Sequence, residues 1–540
     1  MKHIVLDVDI ILDNWLKQGD YLLIENLFER CRERDVKVWF PASVLGELDS
    51  IFVKQLVQEG KSAKEAKEIS RQLLSTLLED VSLLSCFGFV QSKAVRKAYN
   101  LKEAQIALAT SSIHGEKRLV TYNKNFDTLG LIEIIEPVKA LEWISREDED
   151  KPIPFIDLKA QQDIIRPEIE KNIHTVLKHG RYILGPEIKE LEEKLCQYTQ
   201  AKHCIGVSSG TDALLMPLMA WNIGPGDAVF TTPFTFIATA EVIRLVGATP
   251  VFVDIDPHTF NIDPEKLDLA ITAVKENDSS IYPLPKSEPL NPKVIIPVDL
   301  FGLPADYDPI MKIAEQHDLK VLSDSAQGFG SVYKGRKSGT LGHATATSFF
   351  PAKPLGGYGD SGAIFTDDDA LAEELYSIRV HGKGIDQYDN IRIGLNARLD
   401  TLQAAVLLAK LEIFEWELEQ KQALAEKYNN LLEQKNDDFQ IPHIPHGLQS
   451  AWAQYSVLAK DKQQRSSIMA SLKAIGLPSR IYYAQPLHIQ TAFAALKYKD
   501  EDFPIAKNIS KRIFSLPMHA YINRYIIQKI EHALVTYFDN

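Results

Sequence analysis

What most constrains this 540-residue chain is an alternation that runs from His203 to Thr366. Apolar runs of strand length, "HCIGV", "DAVFTT", "PVFVDI", "KVIIPVDL", "KVLSDS", "TATSFF" and "GAIFT", are separated by helical stretches such as "ALLMPLMAW", "FIATAEVIRLV" and "YDPIMKIAEQH". Parallel neighbours need a crossover long enough for a helix, and strands apolar throughout must be covered on both faces. The pattern predicts an α/β fold with a mainly parallel sheet between two layers of helices. From about Leu399 long helices dominate, and a small α+β piece closes the chain.

A second alternation precedes it, with strand-like "HIVLDVDIIL", "VKVWFP" and "KRLVTYN" between helical stretches. The two are parted by "SREDEDKPIP", where an acidic run meets two prolines and hydrophobic periodicity stops. The reading is therefore an N-terminal α/β domain over 1–144, a linker over 145–154, a large domain over 155–400 and a small C-terminal domain over 401–540. The Pro- and Ser-rich stretch Lys275–Lys293 runs straight into a strand and reads as a surface loop.

Composition narrows the classes. The net charge of −13 argues against a broad nucleic-acid surface, and neither alternating region is basic. Cys31, Cys86, Cys196 and Cys204 are too scattered for a disulfide framework or a CxxC zinc site. No apolar run approaches the roughly 20 residues that span a bilayer. The opening "MKHIVLDVDIILDNWL" carries aspartates through its apolar stretch, as a buried strand does and a signal peptide does not, so a cytoplasmic protein is expected.

Four features fall at the carboxyl ends of strands, where open α/β sheets place ligands. "CIGVSSGTDALLMPL" is a strand, a small-residue turn and a helix whose free N–H groups could hold an anion; a plain turn reads the same way. "KVLSDSAQGFG" closes a strand on Asp324, which could equally cap a helix, with Gln327 three residues on. "TTPFTFIATAEVI" offers Phe234 and Phe236, for stacking or for the core. "SFFPAKPLGGYGDSGAIFT" places Lys353 after a strand and before glycines that would let the backbone pass close to a ligand. Together, an anion cradle, an aromatic face, a buried carboxylate and a lysine meet the needs of pyridoxal phosphate.

From about Ile153 onward the chain resembles the sugar-nucleotide aminotransferases of the DegT/DnrJ/EryC1/StrS family, a branch of the fold-type I pyridoxal phosphate enzymes. The matching motifs are "SSGTDAL", "TFIATAEVI", "PVFVDID", "IIPVDLFG", "SDSAQGFGS", "SFFPAKPLGGYGDSGAIFT", "RVHG" and "LNARLDTLQAAVL", in the family's order. The resemblance implies that Lys353 carries the cofactor Schiff base and moves the proton. It implies that Asp324 pairs with the pyridine nitrogen, Gln327 bonds the phenolic oxygen and Phe236 covers a ring face. Gly210, Thr211 and Ser348 would hold the phosphate, with Asn396 reaching in from a second subunit of a homodimer. Arg398, Tyr482 and Tyr483 are sugar-binding candidates, ordinary packing being the alternative for the tyrosines.

Members with histidine in place of the lysine are dehydratases, so lysine here points to amino transfer. Departures are "SDSAQ" for the more usual Glu-Asp-Ala-Ala-Gln and "GDSG" with serine where glycine is common. The motifs look closest to the subgroup that aminates UDP-2-acetamido-2-deoxy-3-oxo-glucuronate with glutamate, giving 2-oxoglutarate, in surface polysaccharide synthesis. A 4-keto-6-deoxy sugar nucleotide, as in perosamine synthesis, is the alternative substrate. A PIN-type RNase or regulator whose C-terminal domain only senses sugar nucleotide is the alternative function.

Residues 1–144 resemble a PIN domain, a metal-dependent RNase fold, through "VLDVDIILD", "PASVLGELDSI", "LKEAQIALATSSIHG" and "RLVTYNKNF". The resemblance implies Asp7, Asp9, Glu47 and Glu103 as ligands for Mg²⁺ or Mn²⁺. Glu103 stands where aspartate is usual, and Asn123 and Asn125 stand where an acid is often found, so metal binding is weakened, a degenerate structural or RNA-sensing domain is the alternative to a nuclease, and the domain's acidic balance does not help RNA binding.

Overall fold

The computed structural model describes residues 153–539 apart from 287–288, 387, 434–438 and 523. Of the first 152 residues it describes five strands, the helix Ala63–Asp80 with Lys61 and Ser62 before it, and isolated positions. Two compact units result: Met1–Ile153 with Lys159–Arg166 and Tyr521–His532, and Pro154–Leu158 with Pro167–Ala520 and Ala533–Asn540.

In the first unit, β1 (Lys2–Leu6), β2 (Lys37–Pro41), β3 (Ser82–Leu84), β4 (Glu116–Val120) and β5 (Ile134–Ile135) form one sheet in the order β3-β2-β1-β4-β5. All its pairings are parallel. β1 is central because Ile4, Val5 and Leu6 are apolar in succession, and all three are fully buried. The helix Ala63–Asp80 starts at a capping box. Ser62 Oγ accepts from the Glu65 N–H, and the Glu65 carboxylate accepts from the Ser62 N–H at 3.0 Å.

The second unit is built on seven strands: β6 (His203–Val207), β7 (Asp227–Thr231), β8 (Thr249–Phe252), β9 (Asn291–Ile296), β10 (Lys320–Asp324) and, after the short strands β11 (Val332–Tyr333) and β12 (Arg336–Lys337), β13 (Ala344–Ser348) and β14 (Gly362–Thr366). Their order is β6-β14-β13-β10-β9-β7-β8. β14 alone runs antiparallel, between β6 and β13. The carboxyl ends of β6, β7, β9, β10 and β13 consequently share one edge.

Strand residues alternate between two cores. Phe230, Ile295 and Val321 point into one with Ile271 and Ile310, whereas Val229, Ile296 and Leu322 point into the other with Leu214, Val242 and Leu375. Each large apolar side chain so buried contributes about 1.5–3 kcal/mol. The covering helices begin where the sequence supplies caps. Ser209 accepts from the Asp212 N–H, Asp263 from the Glu265 and Lys266 N–H groups, and Asp368 from the Ala370 and Leu371 N–H groups.

Further along, β15 (Phe439–Gln440), β16 (Leu448–Gln449), β17 (Tyr455–Ala459) and β18 (Ile513–Leu516) complete the strands. β15, β17 and β18 form an antiparallel sheet, and β16 joins β11 and β12. The long helices Thr401–Leu411 and Phe414–Glu433 precede them. Among the described residues no helix is long and apolar enough to cross a membrane.

Candidate active site

The common strand edge gathers the residues that the motifs single out. Asp324, the last residue of β10, does not cap a helix; its carboxylate is buried. Thr239 Oγ1 donates to Asp324 Oδ2 at 2.7 Å and the Ala326 N–H to Oδ1 at 3.2 Å. Burial pushes the Asp324 carboxyl above its ordinary range, while these donors and the Lys353 ammonium pull it down. Lys353 is half-buried, and burial pushes its ammonium below the usual lysine range, against the pull of Asp324. The two groups therefore share one field, and Lys353 Nζ makes no hydrogen bond to a described residue.

At the end of β6, Ser209 caps the helix Gly210–Ala220, and the Gly210 and Thr211 N–H groups remain unused among the described residues. Gly210 is required for close approach, since a Cβ there would lie 2.6 Å from Ser348 Cβ at the end of β13. Ser348 Oγ accepts from the Phe350 N–H at 3.2 Å. A cradle of N–H donors and a hydroxyl results, of a kind that binds anions. The "RVHG" arginine lies beneath it. Arg379 Nη1 bonds Glu192 at 2.6 Å and the Gly206 carbonyl at 3.0 Å, bracing β6.

Phe234 and Phe236 part company. Phe234 is fully buried, packed edge-on against Phe301 and Tyr483, whereas Phe236, before the helix Ala238–Leu245, is 54% exposed and free to stack. Gln327 is buried; its Oε1 accepts from the Phe301 N–H at 2.8 Å and its Nε2 donates to the Tyr483 hydroxyl at 3.1 Å. Tyr483 thus faces the site through its hydroxyl. Tyr482 lies beside the Phe155 ring, over which the Arg480 guanidinium sits at 5.9 Å.

Asn396 is exposed and Arg398 half-buried on a strand-like segment whose bridges join Asn396 to Val380 and Arg398 to Val207. The Ser208 N–H donates to the intervening Ala397 carbonyl at 3.1 Å, which fixes this segment beside β6. The glycines after Lys353 serve packing within the protein: a Cβ at Gly357 or Gly359 would meet the Gln403 amide at 2.9 or 2.8 Å. Sequence reasoning missed Thr239, whose signal was a polar side chain three residues after Phe236, and Arg480 with Phe155, which are distant in sequence. Asp7, Asp9, Glu47 and Glu103 lie outside the described residues, as does most of the linker, 145–152. Among the described residues no cluster of His, Cys, Asp and Glu could hold a metal ion.

Pyridoxal phosphate fits these residues. The cradle at Gly210 offers unused N–H donors, the buried Asp324 carboxylate suits a protonated ring nitrogen, and Lys353 is an amine whose ammonium is pushed below the usual lysine range. Fold and site define a pyridoxal-phosphate-dependent aminotransferase.

The chain belongs to the DegT/DnrJ/EryC1/StrS aminotransferase family, whose sequence profile matches residues 163–535. It is 46% identical over 382 residues to the UDP-2-acetamido-2-deoxy-3-oxo-D-glucuronate aminotransferase of Pseudomonas aeruginosa, covering 99% of that protein and 71% of this chain. A DegT/DnrJ/EryC1/StrS aminotransferase from Brucella abortus superimposes with TM-score 0.68 at 47% identity, covering all of that chain and 72% of this one. DesV from S. venezuelae, solved with a ketimine intermediate, superimposes with TM-score 0.66 at 32% identity over 99% of its chain and 72% of this one.

Proposed function

We propose that this protein transfers an amino group from glutamate to a UDP-linked 3-keto-N-acetyl-glucuronate-type sugar in surface polysaccharide synthesis, as a cytoplasmic homodimer. The observation that carries the reading is the electrostatically coupled Asp324 and Lys353 beside the Gly210–Ser348 cradle on one sheet edge. Likeness to the P. aeruginosa enzyme supports the sugar. The cationic Arg480 and Arg398 suit a carboxylate or a diphosphate. The exposed apolar residues Ile183, Ile385 and Ile393 support the dimer, in which Asn396 would reach the partner's cradle.

In this reading the Gly210 and Thr211 N–H groups and Ser348 Oγ hold the cofactor phosphate, and Asp324 keeps the ring nitrogen protonated. Phe236 covers one ring face. Gln327 has spent one amide N–H on Tyr483, and its second is available for the phenolic oxygen. Bound there, pyridoxal phosphate supplies an electron sink for the bond broken next to nitrogen. Lys353, whose ammonium desolvation pushes below the usual lysine range, would take the proton from one carbon and return it to another. Tyr482, Tyr483 and Arg398 contact the sugar.

The test pairs spectroscopy with product analysis. Lys353→Ala should lose the visible absorption of covalently held cofactor, and survival of the same covalent chromophore overturns the assignment. Wild-type protein given glutamate and a panel of UDP- and GDP-keto-sugars should aminate the 3-keto-uronate, judged by mass and NMR. Turnover confined to 4-keto-6-deoxy sugars moves the reading to the perosamine type, and no turnover on any keto-sugar overturns it.

For the first unit we propose a PIN-like domain, supported by its all-parallel sheet with β1 at the centre. Asp7, Asp9, Glu47 and Glu103 would hold Mg²⁺ or Mn²⁺. Metal-dependent RNA cleavage abolished by Asp7→Asn would mark a working site; its absence in the wild type would mark a structural domain.

A further inference from the structure

The Lys353 loop is held from outside by one helix. Its base is closed at Phe349, whose N–H donates to the Ser361 carbonyl at 2.8 Å and whose carbonyl accepts from the Gly357 N–H at 2.7 Å. On the limb that carries Lys353, the Lys353 N–H donates back to the Phe350 carbonyl at 2.8 Å. On the other limb, the Tyr358 N–H donates to Gln403 Oε1 at 2.8 Å. The Gln403 amide occupies the space that a side chain at Gly357 or Gly359 would need.

Seven residues on, the Lys410 ammonium lies over the Tyr358 ring, 4.4 Å from its centroid. Residues seven apart lie on one face of a helix, so Thr401–Leu411 grips Tyr358 by its backbone and by its ring. Lys410 is fully buried and its Nζ makes no hydrogen bond among the described residues. A buried ammonium without a hydrogen bond is costly, and its position over an aromatic face offsets part of that cost beside the charge of Glu417. The same helix follows directly on Asn396 and Arg398.

We infer that Gln403 is a positioning residue that fixes the Lys353 loop through the Tyr358 N–H, with Lys410 as a second grip on the same residue through its ring. The inference rests on the reading of Lys353 given above. It assigns the glycines after Lys353 a purpose: they admit the Gln403 amide between them. The helix that carries the Asn396–Arg398 segment then also sets where the lysine stands.

The test uses the full-length holoenzyme. In Gln403→Leu, amide hydrogen exchange at residues 354–360 should accelerate and the pH midpoint of the bound cofactor's visible absorption should shift. The kcat should fall roughly five- to tenfold with the KM for glutamate changed by less than about twofold. Gln403→Glu keeps the acceptor and should restore exchange protection and most of kcat, a rescue that volume alone does not explain. Unchanged exchange and midpoint in Gln403→Leu, or equal damage in Gln403→Glu, overturns the inference.

Should Gln403→Leu fail to fold, Gly359→Ala, whose Cβ would press on the same amide, must reproduce the faster exchange or the inference falls. Lys353→Ala run in parallel separates the two readings. A persisting covalent chromophore there overturns the role of Lys353, while exchange at Tyr358 still reports on Gln403.

Discussion

The hydroxyl of Thr239 donates a 2.7 Å hydrogen bond to Oδ2 of Asp324, joining the helix after β7 to the end of β10. Thr235 Oγ1 lies 3.1 Å from Thr239 Oγ1 and can supply a donor in turn, so the carboxylate ends a short hydroxyl chain. A buried anion is tolerated only when such donors replace water, and this chain opposes the burial that pushes the Asp324 carboxyl above its ordinary range.

Thr239→Val removes the donor and keeps the shape. The Asp324 carboxyl should rise further, so the acidic limb of the kcat/KM–pH profile should move to higher pH, with activity near neutrality down roughly tenfold. Thr239→Ser, which keeps a hydroxyl, should shift the limb less. A pH–rate series on the three proteins checks this.

Gly210→Ala places a methyl 2.6 Å from Ser348 Cβ and forces the helix start away from β13. Cofactor affinity should fall at least about tenfold, measured by fluorescence titration of the apoenzyme. Ser348→Gly in the same chain opens the space, so the double variant should lose less than the sum of its parts.

Asp299 lies fully buried after β9, accepting from the Tyr307 hydroxyl at 2.8 Å and the Ala305 N–H at 3.1 Å. Burial pushes its carboxyl up to about 7. Between the ordinary aspartate value and 7 the folded state holds a proton that the unfolded chain releases, so this group makes stability fall as pH rises through that window. Asp299→Asn should therefore melt higher than wild type at pH 8, by the equivalent of about 2–4 kcal/mol, with the gap closing near pH 4. Thermal unfolding across pH tests the sign.

A chain begun at Ile153 should retain amino transfer, because the P. aeruginosa relative is matched over 99% of its length by 71% of this chain. Equal kcat/KM for truncated and full-length protein is the expected result. Loss beyond about tenfold would show that the first unit acts on the enzyme.

Much of this was legible in sequence because it is local. Strand ends and turns are written within a few residues, so Asp324 after "KVLS", the turn and helix start of "SSGTDAL" and Lys353 after β13 could be placed without coordinates. Spacing alone could not tell Phe234 from Phe236, which only the family resemblance separated, since which of two residues faces solvent depends on what packs over the loop. Thr239 and Gln403 were illegible for a related reason. Their partners lie 85 and 45 residues away, and no periodicity reports on such pairs.

The sequence by itself determined the alternation, hence a sheet covered on both faces and an edge rich in strand ends. It also determined the chemistry available there, because a lysine, an aspartate, a glutamine and free helix N–H groups ask for one cofactor. Tertiary structure decided that β14 inserts antiparallel between β6 and β13, which brings the Gly210 helix against Ser348. It also decided that one helix clasps the loop carrying Lys353. Strand order and helix register are set by packing across the whole sheet, a many-body free energy that no single segment of the chain contains.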